Sequence, residues 1–126
     1  MAKAKNNSVK EFRQERERLQ KLMLQHSDLS TKRFINLDSQ VYSEGVLEVK
    51  TKELLGLVAS LVLRCDDCIR YHMDRCHQEG VSEQELEEAL AIGLVVGGSI
   101  TIPHIRRAWD FWENMFLTTI LRFIRH

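Results

Sequence analysis

The sequence predicts an all-α fold, one domain over residues 1–126, on three observations. With a single Pro, six Gly and few β-branched runs in 126 residues, little interrupts helices and little favours sheet. Apolar residues recur at helical spacing in successive segments. The gaps between most of these segments carry helix stop and start signals: Gly45, Gly80, the Ser82/Glu85 pair, Gly97-Gly98 and Pro103.

Residues 8–26 read as a charged first helix, apolar at Phe12, Leu19, Leu22, Met23 and Leu24, with alternating acids and bases on a solvated face. The polar stretch 1–10 is expected to be disordered. Ser30 or Thr31 would cap a short second helix carrying Phe34, Ile35, Leu37 and Val41, closed by Gly45. A third helix, Val49–Leu63, is apolar at Leu54, Leu55, Leu57, Val58, Leu61 and Val62, a width that suggests burial on more than one side. Asp66 and Asp67 suit the first turn of a fourth helix, where exposed amides favour negative charge, and Gly80 supplies its stop. No Gly or Pro marks the break before it, near Arg64. Ser82 with Glu85 forms a capping box for a fifth helix through Ala89, Leu90, Ile92, Leu94 and Val95, ended by Gly97-Gly98-Ser99. Pro103 opens a sixth, whose Trp109, Trp112, Phe116, Ile120 and Phe123 make a stripe read as core.

Eighteen basic residues balance eighteen acidic ones, so no global field draws the chain to nucleic acid or an anionic membrane. Small, neutral or homotypic partners are expected instead. No apolar h-region follows the basic N-terminus, acids from Glu11 argue against a transit peptide, and no apolar run approaches the roughly 20 residues needed to span a bilayer. A cytoplasmic location is the expectation. In a reducing compartment, three clustered cysteines point to redox chemistry or metal binding rather than a disulfide framework.

Cys65, Cys68, His72 and Cys76 are spaced three, four and four apart, on one helical stripe. A cysteine near a helix N-terminus has its thiolate stabilised by exposed amides, and a thiolate attacks peroxides and disulfides where a thiol barely does. A second cysteine three residues away can condense with the oxidised first one to a disulfide that an external reductant reopens. His72 can exchange a proton with Cys68 at neutral pH. If the third and fourth helices form an antiparallel hairpin turning near residues 62 and 63, Glu53 lies opposite His72. In one continuous helix the two would be about 28 Å apart. The hairpin thus lines up Glu53, His72 and Cys68 as a proton relay, with Cys65 at its open end.

The run Glu53, eleven residues, Cys65-Asp66-Asp67-Cys68, three residues, His72 resembles the AhpD-like alkylhydroperoxidase branch of the carboxymuconolactone decarboxylase family. The similarity continues through Gly80-Val81-Ser82 and Glu85 to Gly97-Gly98, a family-like core of about residues 45–110. The resemblance implies a helical peroxidase without a cofactor, assembled as trimers or hexamers. It implies Cys68 as the peroxide-reactive thiol, Cys65 as the resolving one, and Glu53 with His72 as the proton-transfer pair. The substrate would be a small hydroperoxide and the electron donor an external dithiol. The best-known peroxidases of this branch carry histidine immediately before the second cysteine. Here it is Asp67, whose charge should oppose ionisation of Cys68. The decarboxylases that name the family lack the cysteine pair, which makes decarboxylation a poor expectation.

Two other readings compete with a peroxidase: a general Cys-x-x-Cys disulfide oxidoreductase, and a non-catalytic helical oligomerisation module. Zinc is disfavoured because ligands strung along one helix cannot surround a tetrahedral ion. Cys76 is expected to act as a small, partly buried apolar residue, His26 and His77 to lie at the surface, and His104 to line the pocket or a subunit seam, or equally to lie at the surface. The helices carry more apolar surface than so small a domain readily buries, and self-association would hide the excess.

Overall fold

The structure, a computed structural model, describes the backbone of residues 2–124 and the side chains of residues 8–116. Six α-helices follow one another: α1 (Ala2–His26), α2 (Leu29–Val41), α3 (Val49–Val62), α4 (Asp66–Gln78), α5 (Glu83–Gly97) and α6 (Ile102–Ile124), the last preceded by a 3-10 turn at Ser99–Thr101. No strand occurs among the described residues, and no described helix is long and apolar enough to cross a membrane. The predicted all-α class and the α3–α4 hairpin are both present.

Helix α3 packs on α4 and α5, while α6 packs on α4 and α1. The core between them is built from Leu57 and Leu61 of α3, Ile69, Met73 and Cys76 of α4, Leu86 and Leu90 of α5, and Ala108, Phe111, Trp112 and Met115 of α6. Gly93 lets α5 approach closely, since a Cβ there would stand 2.5 Å from Leu61 Cδ2. Val9 of α1 is fully buried in the same cluster, so the expected disordered stretch 1–10 is instead helical from Ala2 onward. A bidentate Arg13–Asp74 pair, at 2.9 and 2.7 Å, fixes α1 against α4.

The break that makes the hairpin is a Schellman motif with Arg where Gly is usual. Arg64 takes the left-handed conformation at φ +59°, its N–H donates to Leu61 O at 2.9 Å, and Cys65 N–H donates to Ser60 O at 3.1 Å. Gly80 closes α4 in the same way, with Val81 N–H on Cys76 O at 3.0 Å and both side chains in the core. The capping box at Ser82 and Glu85 is formed in both directions, at 3.1 and 3.0 Å.

Three expectations change. Asp28, not Ser30 or Thr31, caps α2, because its carboxylate accepts Thr31 N–H at 3.1 Å. Helix α2 ends at Val41 with Tyr42 as its C-cap, three residues before Gly45. On α6 the inward face is Ala108, Phe111, Trp112 and Met115, and Phe116 is 40% exposed; the side chains of Ile120 and Phe123 lie outside the described residues.

No residue of α2 is buried, and its Phe34, Leu37 and Val41 are exposed. Ile92, Val95 and Val96 of α5 and Ile100 beyond it are exposed as well. Among the described residues these faces carry much of the exposed apolar surface, with Leu55 of α3 adding to it.

Candidate functional site

The hairpin bend fixes the two cysteines in different roles within one turn. Cys65 is the N-cap of α4, and its Sγ accepts the Cys68 backbone N–H at 3.3 Å. Cys68 lies in the first turn and is exposed, whereas Cys65 is half-buried. The stripe then runs inward, because His72 and Cys76 are both buried.

Cys68 is not a thiolate at rest. Its hydrogen bond to Cys65, partial burial and the charges of Cys65 and Asp67 together push its pKa up to about 11. The expected opposition from Asp67 is therefore present, although the Cys65 hydrogen bond is the larger cause. At pH 7 roughly one such thiol in 10⁴ would be ionised without help. For this thiol to act as a nucleophile at neutral pH, a proton acceptor is needed.

One helical turn beyond Cys68 stands a buried charged pair. Glu53 of α3 is 1% exposed and its Oε2 lies 2.8 Å from His72 Nδ1. A buried carboxylate is tolerable only when paired. Arg75, on the next turn of α4, supplies the second partner by donating from Nε to Glu53 Oε1 at 3.4 Å. Burial lowers the Arg75 pKa, but the charge and hydrogen bond of Glu53 outweigh it and leave the guanidinium raised.

With Glu53 accepting from Nδ1–H, the neutral His72 ring has its free lone pair on Nε2. That nitrogen faces Tyr42, whose hydroxyl lies 3.4 Å away, and the two rings are tilted at 35° with 5.3 Å between centroids. Neither thiol is within hydrogen-bond distance of His72 among the described residues. Gly56 makes room for the contact: a Cβ there would stand 2.5 Å from the Tyr42 hydroxyl and 2.7 Å from His72 Cε1.

Sequence reasoning brought Glu53, His72, Cys65 and Cys68 into one neighbourhood but missed Arg75 and Tyr42. Arg75 was within reach of it, being three residues past His72 on the same helix. Tyr42 was not, since it arrives from the end of α2 through a loop.

The other candidates fall outside this centre. Cys76 is fully buried, with its pKa pushed up to about 12 by burial first and Glu53's charge second, and serves as an apolar core residue. His77, expected at the surface, is instead half-buried edge-on to Trp112 and Phe116 at 5.4 and 5.3 Å. His104 contacts Asp66 at 2.8 Å and Arg107 closes the same carboxylate at 3.1 Å, clamping the start of α4 to the start of α6. Burial raises the Asp66 pKa, but those partners overcome it and hold the group below the usual carboxylate range.

A dithiol at a helical bend, with a buried acid–base pair of its own, is the candidate site of a helical dithiol protein. Among the described residues no three His, Cys, Asp or Glu side chains are grouped to hold a metal ion. The chain belongs to the carboxymuconolactone decarboxylase family, whose model matches residues 29–111. Two crystal structures of one Thermotoga maritima family protein are similar, with TM-scores of 0.85 and 0.83 and identities of 60% and 59%. They cover 87% and 86% of this chain and 96% and 92% of theirs. For that protein a part in the antioxidative response has been suggested. A family protein from Legionella pneumophila shares the fold, with a TM-score of 0.69 at 23% identity over 89% of this chain and 97% of its own. An uncharacterised protein of the Paracoccus denitrificans cox locus is 25% identical over 75 residues, 60% of this chain and 68% of that one.

Proposed function

We propose that this chain is a thiol-dependent peroxidase of the AhpD-like kind, reducing hydrogen peroxide or organic hydroperoxides through Cys68 and Cys65. The observation that carries the reading is the buried Glu53–His72 pair beneath an exposed Cys68 whose own ionisation is suppressed. Such a pair has a use where a thiol must lose a proton on demand and an alkoxide must gain one.

In the first step the Cys68 thiol gives its proton towards His72 and the thiolate attacks the distal peroxide oxygen. An S–O bond forms as the O–O bond breaks, the proton returns to the leaving alkoxide, and Cys68 becomes a sulfenic acid while ROOH becomes ROH. Cys65 then attacks the Cys68 sulfur, the S–S bond forms and water leaves. An external dithiol reopens the disulfide by exchange and is itself oxidised. Glu53 stabilises the imidazolium formed between the two proton movements. The suggested antioxidative part of the Thermotoga relative supports this reading.

A second reading, dithiol–disulfide exchange led by Cys65, is favoured by one observation: Cys65 caps the helix and its sulfur takes the Cys68 amide. Turnover separates the two. With cumene or tert-butyl hydroperoxide and dithiothreitol, a peroxidase consumes peroxide catalytically, whereas an exchange protein reduces a model disulfide and leaves peroxide untouched.

We also propose a homo-oligomeric protein held by the exposed apolar faces of α2 and α5, and a cytoplasmic setting in which a cellular dithiol serves as reductant.

A further inference from the structure

We propose that Tyr42 is the proton link of this site, its hydroxyl holding the base nitrogen of His72 and passing to it the proton that Cys68 releases. This rests on the reading of Cys68 as the attacking thiol. Three observations converge on it.

The first is the direction of the hydrogen bonds. Glu53 occupies Nδ1, so Nε2 is the only basic position His72 retains, and the Tyr42 hydroxyl is the group facing it. A proton from Cys68 reaches that lone pair either by displacing Tyr42 or through it.

The second is the way Tyr42 is held. Lys52, the residue before Glu53, donates from Nζ to Val41 O at 2.8 Å and to Ser43 O at 2.7 Å, the carbonyls on either side of Tyr42. One ammonium thereby staples the end of α2, a helix with no buried residue, to the helix that carries the carboxylate. The placement is specific to this tyrosine.

The third is space. Gly56 is the α3 residue against which both the hydroxyl and the imidazole rest, and any side chain there would push them apart. Burial is the main cause raising the Tyr42 pKa, followed by Glu53 from α3, Asp38 from α2, and Tyr71 and Cys68 from α4. The phenol is therefore a hydrogen-bond donor at neutral pH.

The balance is simple. Once the exposed Cys68 side chain, which does not hydrogen-bond Tyr42 at rest, turns towards that hydroxyl, the thiol proton moves to the Tyr42 oxygen as the Tyr42 proton moves to His72 Nε2, leaving a thiolate, a neutral phenol and an imidazolium bound to Glu53. After the O–O bond breaks the same path runs backwards to protonate the alkoxide.

The test is Tyr42→Phe, which keeps the ring and removes only the hydroxyl. Alkylation of Cys68 by iodoacetamide, read site by site by tandem mass spectrometry between pH 6 and 10, should slow about tenfold at pH 7 and shift to higher pH. His72→Asn should do the same, and the double variant should lose no more than either single one, because the two act in series. Lys52→Met, which frees the tyrosine without altering it, should show an intermediate loss. Melting curves must match wild type, since a merely structural tyrosine would lower stability and leave the pH profile in place. A Tyr42→Phe profile that overlays wild type, or losses that multiply in the double variant, would overturn the proposal. The assay contains no peroxide, so a protein that fails to reduce hydroperoxides would refute the peroxidase reading without deciding the role of Tyr42.

Discussion

Glu53 Oε2 and His72 Nδ1 lie 2.8 Å apart across the α3–α4 hairpin, although nineteen positions separate them in the chain. The contact fixes the tautomer of His72, because a carboxylate only accepts. In Glu53→Gln the amide can still accept from Arg75 but then presents N–H to Nδ1, forcing the ring proton onto Nε2 and removing the base. Peroxide consumption should fall about 10²-fold. Arg75 keeps Gln78 and Glu79 as partners but loses the buried charge of Glu53, so urea denaturation should also show a cost of about 1–3 kcal/mol. Unchanged turnover would make Glu53 a structural residue.

Arg64 holds a left-handed conformation that glycine adopts without steric cost. Arg64→Gly should raise stability by about 0.5–1 kcal/mol, visible as an upward shift in melting temperature, provided the hairpin needs only the backbone geometry at this position. A fall would show that the arginine side chain itself holds the bend.

Cys76 gives the protein an alkaline limit. Its folded pKa is about 12 against an ordinary 9.0. Above pH 9 the unfolded chain releases this proton while the folded chain keeps it, so stability is full below pH 9 and declines as the pH rises towards 12. Between pH 8 and 10.5 the decline from this group is about 2 kcal/mol. Under reducing conditions Cys76→Ala should be less stable at neutral pH through lost packing, yet the part of the alkaline slope due to Cys76 should vanish. An identical slope in the variant would assign the alkaline loss to other groups.

The exposed apolar faces predict a mass several times the 14.7 kDa of one chain in light scattering. Phe34→Glu or Val95→Glu should lower that mass while leaving helicity unchanged. Trp112→Glu should instead unfold the protein, since Trp112 is only 1% exposed in the core. A monomeric wild type would remove α2 and α5 as an interface.

The fold was legible where local chemistry decides it. Gly80 and the Ser82–Glu85 box act through neighbours in sequence, and the Glu53–His72 contact followed from counting residues outward from one turn. Other features depend on distant packing. The side chain of Arg64 gives no hint that it will adopt a glycine conformation, and nothing local tells Asp28 from Ser30 as the cap. Tyr42 reaches His72 from the end of α2, which Lys52 ties to α3, a long-range arrangement that spacing does not encode. The α6 stripe was read correctly as core at Trp112, but its period could not say that Phe116 turns outward.

Central to the account is a Cys65–Cys68 disulfide formed by way of a sulfenic acid on Cys68, and mass spectrometry after one equivalent of cumene hydroperoxide tests it directly. Wild type should lose about 2 mass units as the disulfide closes, and Cys65→Ser should gain about 16 and be trapped by a dimedone-type probe at Cys68. Cys68→Ser should stay unmodified. A trapped sulfenate on Cys65 in the Cys68→Ser protein, with none on Cys68 in its counterpart, would reverse the two roles, and a wild type that does not change mass at all would contradict the peroxidase.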